Sequence, residues 1–290
     1  MKYPETMLTA LEVLGKRFFQ EYMSAEKRKR SRLCDNWFEA FKFLLSKLYL
    51  RGRSNRLAES YFEAMHQCLD DSFASDPAGK LEMFWGRGDI PHEPQWWMGE
   101  AGGEPFYLNK SSLGSRFTPK MGNPNDHQMV LDALRYIYPL KGHNVVMWSL
   151  EEIRAGRIRE HREELMELYE VGKKLSALYL RDLVYLFDCH LKPDEAKHIQ
   201  PIDTLVRQVA HALLGASGCG GNAPSAEEWF IDLCVKRDDY MLLNAGAWYL
   251  GKHSFELLIA LLANDCVSPE ALERITRPRA KPGDDVTLAL

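Results

Sequence analysis

Two short segments contain the side chains best suited to catalysis. The first, residues 168–177, reads Leu-Tyr-Glu-Val-Gly-Lys-Lys-Leu-Ser-Ala, which predicts a tight turn at Gly172 and a buried helix beginning at about Lys173. Backbone N–H groups at the start of a helix bind anions, so this turn is a candidate phosphate site. Lys174 lies on the first helical turn, where Lys173 and the positive helix end are expected to disfavour its ammonium form and favour a nucleophilic amine.

The second segment, Pro201-Ile202-Asp203-Thr204, precedes an apolar helical pattern. Asp203 follows Lys174 by 29 residues and is expected to cap that helix, with its carboxylate held ionised by backbone N–H donors. Lys173 is the best candidate side chain for binding a phosphate, and Arg207 is a weaker one. Each segment also has a purely structural interpretation, because most aspartates before apolar runs are only N-caps and most charge runs are solvated.

The order and spacing of the two segments resemble the helix–hairpin–helix DNA glycosylase superfamily. The family pattern is roughly L-P-G-V-G-x-K-x-A and then, after a buried helix, P-[VI]-D-[TV]-x-[VW]; residues 168–176 and 201–206 match it in part. Leu44-Leu45-Ser46 is similar to the family's early Leu-Leu-Ser helix, whose end leads into an intercalating loop. Residues 244–251 are similar to a segment of the archaeal 8-oxoguanine glycosylases, and the Lys–Asp separation is also closer to that group. The resemblance covers residues 33–60 and 130–262.

The resemblance implies a mainly α, two-lobe fold in which a modified or damaged base is flipped into the cleft between the lobes. Lys174 matches the family's Schiff-base lysine and Asp203 its essential aspartate. Asp203 would activate Lys174 or a water molecule. Lys174 would attack C1′, expel the base and hold a Schiff base from which β-elimination can cleave the strand. The implied partner is double-stranded DNA with a modified base, bound without a cofactor or metal ion, and we expect a monomer.

Two positions depart from the family pattern. Glu170 replaces a preferred glycine, which is expected to weaken the approach of a phosphate, and Leu48 replaces a glutamine that several relatives carry. Glu170 motivates a different class of function, a non-catalytic helix–hairpin–helix module that binds DNA or a protein. For an enzyme, two substrates remain open: oxidised guanine, or a bulky modified base in foreign DNA such as that of a phage, which would imply antiviral defence.

Composition excludes several other classes. The chain has 290 residues, 46% of them hydrophobic, and a formal net charge of −4, which excludes a uniformly basic nucleic-acid binder but not a local basic patch. It has no run of 18 apolar residues and no signal peptide, so we expect no membrane contact and a cytoplasmic location. Six cysteines without a CxxC pair argue against an iron–sulfur cluster, and scattered histidines argue against a metal site.

Helical periodicity dominates the chain and predicts the mainly α class. The best strand candidate is 145–148, and capping boxes are predicted at Ser149 and Ser225. The predicted helices span residues 37–50, 55–69, 160–168, 174–188, 203–214, 226–236, 239–250 and 253–263, and the helix–hairpin–helix spans about 160–188.

An irregular, aromatic-rich insert is predicted at residues 72–125 within a helical core of residues 1–276. Trp96 and Trp97 lie in this insert, which is either a lid packed over a small core or a ligand-binding segment. A flipped base needs aromatic faces, so both tryptophans are candidates for the base pocket. Residues 277–290 are expected to form a flexible tail.

Overall fold

The structure is a computed structural model that describes residues 5–51, 55–73, 81, 113, 116–216 and 225–263. These residues form α-helices and short 3₁₀ turns, with no strand among them, which confirms the mainly α class. None of the helices described is long and apolar enough to cross a membrane. The helices are α1 (Glu5–Tyr22), α2 (Ser24–Asp35), α3 (Trp37–Leu48), α4 (Asn55–Phe73), α5 (Pro124–Ile137), α6 (Val145–Arg154), α7 (Ile158–Met166), α8 (Lys173–Leu186), α9 (Pro193–Ala196), α10 (Thr204–Ala216), α11 (Ala226–Val235) and α12 (Leu242–Ala263).

The chain divides into two compact units, one formed by residues 1–24 with 202–290 and the other by residues 25–201. In the first unit, α1 packs along α12. A Cβ atom on Gly246 would lie 1.8 Å from the Leu11 carbonyl oxygen, and one on Gly15 would lie 2.1 Å from the Leu242 carbonyl oxygen. These glycines therefore allow the backbones of the two helices to approach more closely than any side chain would permit.

The second unit is built around α8, which is buried along most of its length as its apolar sequence predicts. Two charged side chains, Arg181 and Asp182, are buried in it as well, at 2% exposure each. Lys47 of α3 lies 2.9 Å from Asp182, and Arg181 lies 2.9 Å from the same carboxylate. Burial raises the pKa of Asp182, but the two cations outweigh it and hold that pKa below its usual range. The carboxylate therefore ties α3 to α8.

Two predictions for the segment around residue 145 are wrong. Val145–Trp148, predicted as a strand, forms the first turn of α6, because the Asn144 side chain accepts a hydrogen bond from the Met147 N–H at 2.9 Å. Ser149, predicted to cap a helix, lies inside α6, where its hydroxyl donates to the Val145 carbonyl at 2.7 Å. The capping box at Ser225 is confirmed.

Other boundaries differ from the prediction in extent. The helices predicted at 239–250 and 253–263 are a single helix, α12. The insert predicted at 72–125 is shorter at both ends, because α4 continues to Phe73 and α5 begins at Pro124. Trp96, Trp97 and the predicted tail at 277–290 lie outside the described residues.

Candidate functional site

The turn between α7 and α8 leads into a helix that starts where the sequence predicts. Helix α8 begins at Lys173, as predicted, and the Val171 N–H donates to the Leu168 carbonyl at 3.0 Å across the turn. Glu170 has φ +63°, which lies in the left-handed region that favours glycine. This is the position at which the resembled family prefers glycine. Glu170 therefore adopts the glycine conformation at a cost of roughly 1 kcal/mol.

The start of α8 is open. Gly172 is the N-cap residue in an extended conformation (φ −103°, ψ −175°), and no side chain caps the helix. A Cβ atom on Gly172 would have no neighbouring atom of the described residues within 4 Å. Both Gly172 and Lys173 are exposed. The first N–H groups of α8 thus have space beside them for an anion, and Lys173 adds a positive charge.

Lys174 reaches across to the end of α3. Its Nζ atom donates a hydrogen bond to the Leu50 carbonyl at 2.7 Å, and its side chain is half-buried. Leu50 follows the helix that resembles the family's Leu-Leu-Ser helix. A carbonyl accepts from a neutral amine as well as from an ammonium group, so this contact fixes where the nitrogen lies without requiring either charge state.

Arg51, the residue after Leu50, binds the turn from the same side. Its Nη1 atom lies 2.9 Å from Oε2 of Glu170, and its Nε atom lies 3.2 Å from Oδ1 of the fully buried Asp126. Asn125 Nδ2 donates to the other Glu170 oxygen at 2.9 Å. Sequence reasoning noted Glu170 only as a departure from a pattern and missed Arg51, because no sequence signal links positions 51 and 170.

A third contact holds the turn against α5. Oδ2 of Asp132 accepts a hydrogen bond from the Tyr169 N–H at 2.8 Å. Burial raises the pKa of Asp132 to about 6, although this hydrogen bond and Arg135 act in the opposite direction. The Tyr169 hydroxyl donates to Asn125 Oδ1 at 3.3 Å. The turn is therefore fixed by contacts to α3 and α5 as well as by its own hydrogen bonds.

Asp203 caps α10, as predicted. Its Oδ1 atom accepts a hydrogen bond from the Val206 N–H at 2.9 Å, and its side chain is partly exposed. Arg207, on the same helix, forms an ion pair with Glu227, so its positive charge is already partly neutralised. Lys173 forms no ion pair with any residue that the structure describes, which keeps it the better candidate for binding a phosphate.

The candidate residues fall into two groups. Gly172, Lys173 and Lys174 share one turn in the second unit, whereas Asp203 and Arg207 lie on α10 in the first unit. Within the described ranges, no group of three His, Cys, Asp or Glu side chains is arranged to hold a metal ion.

Neither protein-family models, nor curated proteins, nor solved structures gave a match to the chain.

Proposed function

We propose that this protein is a DNA glycosylase that excises a modified base, with Lys174 as its nucleophile. The observation that carries the proposal is the turn at residues 167–172. It places a left-handed residue at position 170, an open N-cap at Gly172 and a lysine amine on the following helical turn. These three features occur together in one short piece of backbone, which supports the proposal.

In the proposed binding mode, a DNA phosphate lies at the start of α8. The N–H groups there and the Lys173 ammonium group would bind its oxygens, since both complement negative charge. The exposed Gly172 leaves room for the phosphate to approach the backbone. Flipping the target base out of the helix costs a few kcal/mol, which contacts in the base pocket would offset.

In the proposed reaction, the neutral amine of Lys174 attacks C1′ of the flipped nucleotide. The new N–C1′ bond forms as the glycosidic bond breaks, and the base leaves with the bonding electron pair and takes up a proton. The amine nitrogen then loses one proton to Asp203 or to water. The C1′–O4′ bond breaks as O4′ takes up a proton, and the nitrogen lone pair forms the C=N bond of a protonated Schiff base on the opened sugar. The Asp203 carboxylate stabilises the positive charge that develops on the sugar. Loss of a proton from C2′ then permits β-elimination of the 3′ phosphate.

Two substrates fit this proposal, oxidised guanine and a bulky modified base of foreign DNA. Trp96 and Trp97 are proposed to supply aromatic surface for the base, which favours the bulkier one. A non-catalytic DNA-binding or interaction module is the alternative function. One observation favours the interaction module: the Glu170 carboxylate, 37% exposed, lies on the turn proposed to bind phosphate and would weaken that binding.

Borohydride trapping tests the proposal. Duplex DNA that contains an abasic site, and duplexes with 8-oxoguanine or phage-type modified bases, are incubated with the protein and sodium borohydride. We expect a covalent protein–DNA adduct that peptide mapping places on Lys174, because borohydride reduces a Schiff base to a stable amine. Lys174→Gln should abolish the adduct while DNA binding persists through Lys173.

The variant Asp203→Asn distinguishes a catalytic role of Asp203 from a role as an N-cap only. Asparagine caps helices about as well as aspartate, so the variant should keep the stability of the wild type. Its rate of base release should fall by roughly 100-fold or more, because the charge that stabilises the transition state is lost. Base release at the wild-type rate would show that Asp203 is only an N-cap. An adduct on a lysine other than Lys174 or Lys173, or none on any duplex, would contradict the enzymatic assignment.

A further inference from the structure

We infer that Arg51 is a positioning residue for Lys174, and that it acts through a clamp on Glu170 and Asp126. The inference rests on the proposed role of Lys174 as the nucleophile. It adds a specific physical cause for the orientation of the Lys174 amine, and it gives Glu170 a role that the glycosylase motif does not contain.

Arg51 is connected to the Lys174 amine through a single peptide group. The carbonyl that accepts the hydrogen bond from Lys174 Nζ belongs to Leu50, and its carbon is bonded to the Arg51 nitrogen. A peptide group is planar and rigid, so the Leu50 carbonyl and the Arg51 N–H turn together. Whatever holds Arg51 in place therefore also holds the acceptor that orients the amine.

The clamp consists of two ion pairs that the Arg51 side chain forms with carboxylates. The Nη1 atom of the guanidinium group lies 2.9 Å from Oε2 of Glu170, and the Nε atom lies 3.2 Å from Oδ1 of Asp126. Glu170 lies in the turn before α8, whereas Asp126 lies on the first turn of α5 and is fully buried. The Arg51 side chain is 15% exposed and Asp126 is fully buried, so solvent screens that ion pair weakly, whereas the pair with Glu170, 37% exposed, is screened more.

The clamp accounts for the arginine at position 51 and for the glutamate at position 170. A guanidinium group presents several donors in a fixed plane and can bind two carboxylates from different elements, which a single ammonium group does less well. Glu170 tolerates a left-handed conformation that glycine would adopt without strain. The Glu170 carboxylate, which also accepts a hydrogen bond from Asn125, links Arg51 to the turn before Lys174.

The clamp thus closes a short loop of contacts. Lys174 contacts Leu50, the neighbouring Arg51 contacts Glu170, and Glu170 precedes Lys174 by four residues in the chain. Breaking the contact at Glu170 should allow the end of α3 to shift relative to α8. The amine would then be misplaced even though Lys174 itself is unchanged, and small misplacements of a nucleophile lower reaction rates strongly.

Single-turnover trapping on abasic-site DNA tests the inference with Glu170→Gln. The amide oxygen of the new side chain would still accept the hydrogen bond from Asn125, but the charge would be lost. The Arg51–Asp126 pair would stay intact, so the variant is expected to fold. We expect the rate constant of adduct formation at saturating DNA to fall by about 10-fold, as for a slightly misplaced nucleophile. The DNA concentration at half-saturation should stay the same or decrease, because a negative charge near the phosphate is removed.

Glu163→Gln is the matched control, since it removes an exposed ion pair with Arg159 on α7 and should leave the rate constant unchanged.

Arg51→Lys provides the second test, because it retains the charge but not the planar fork. We expect it to lower the rate constant at saturation at least as much as Glu170→Gln. A wild-type rate constant in both variants, with normal thermal unfolding, would overturn the role of Arg51. Slower trapping that saturating DNA fully restores would also overturn it, because that result assigns the clamp to DNA binding. Failure of the wild-type protein to trap any DNA would instead contradict the proposed function, so the two failures are distinguishable.

Discussion

At the scale of single residues, positions 170 and 172 of the turn before α8 differ in whether their backbone conformation favours glycine. At position 170 the backbone has a left-handed conformation that favours glycine, and a glutamate adopts that conformation instead. At Gly172 the backbone is extended, a conformation that any residue adopts, and a Cβ atom would have open space. Among the described residues, neither backbone conformation nor packing requires a glycine at position 172, so this position tests whether a phosphate approaches the backbone as proposed.

Gly172→Ser tests this interpretation. Serine is a preferred N-cap residue, so we expect the free energy of unfolding to stay the same or to rise by up to about 1 kcal/mol. The hydroxymethyl group would occupy the space proposed for a phosphate, so affinity for undamaged duplex DNA should fall by roughly 10-fold, which corresponds to about 1.4 kcal/mol. Urea unfolding and fluorescence anisotropy measure the two quantities. Unchanged DNA affinity in the folded variant would exclude a phosphate contact at this position.

Asp132 makes the stability of the protein depend on pH. Its pKa of about 6 exceeds the usual value of 3.8 because the carboxyl is buried, so the folded protein favours the protonated form. Ionisation between about pH 4 and pH 6 therefore opposes folding. Since one pKa unit corresponds to about 1.4 kcal/mol, the contribution of this group falls by about 3 kcal/mol as the pH rises through that range.

Asp132→Asn should remove this dependence and still accept the hydrogen bond from Tyr169. We expect the variant to gain stability relative to the wild type as the pH rises from 4 to 7, by up to about 3 kcal/mol, in urea unfolding at each pH. Asp194→Asn, which changes a carboxylate that is 97% exposed, is the control and should show no such trend. A stability difference for Asp132→Asn that does not vary with pH would contradict the assignment.

At the scale of elements, the packing of α1 on α12 depends on the absence of side chains. Gly246→Ala would place a Cβ atom 1.8 Å from the Leu11 carbonyl oxygen, so the two helices must separate. We expect the free energy of unfolding to fall by about 3 kcal/mol, the upper end for overpacking, despite the higher helix propensity of alanine. Gly172→Ala, with no neighbour within 4 Å, should cost less than about 1 kcal/mol. Equal effects of the two substitutions on urea unfolding would show that the close approach is not needed.

The helix α6 shows how a tertiary contact can override local preference. Its start, Val145-Val146-Met147-Trp148, is rich in residues that favour strands. Asn144 caps it as a helix, and Asn144 Nδ2 donates to the carbonyls of Leu33 and Cys34, both at 2.9 Å. The cap is therefore held by the end of α2, more than a hundred positions earlier in the chain.

At the scale of the whole molecule, charge gives no general attraction to DNA. The chain carries 37 Lys and Arg against 41 Asp and Glu, and part of its basic α2 helix is neutralised, since Lys27 and Arg30 pair with Asp188. The proposed binding to DNA would then depend on local groups such as the start of α8. The two proposed reacting groups lie in different units of the chain, Lys174 in the second and Asp203 in the first.

The features that depend on neighbours within a few residues can be predicted from the sequence alone. The mainly α class, the start of α8 at Lys173 and the cap at Asp203 follow from periodicity, a glycine turn and an N-cap residue, all of which act over about four positions. Three other features depend on tertiary packing: the contact of Lys174 with Leu50, the ion pair of Arg51 with Glu170, and the burial that raises the pKa of Asp132. The first two contacts join residues more than a hundred positions apart, and burial results from the packing of several helices. A local pattern contains neither kind of information.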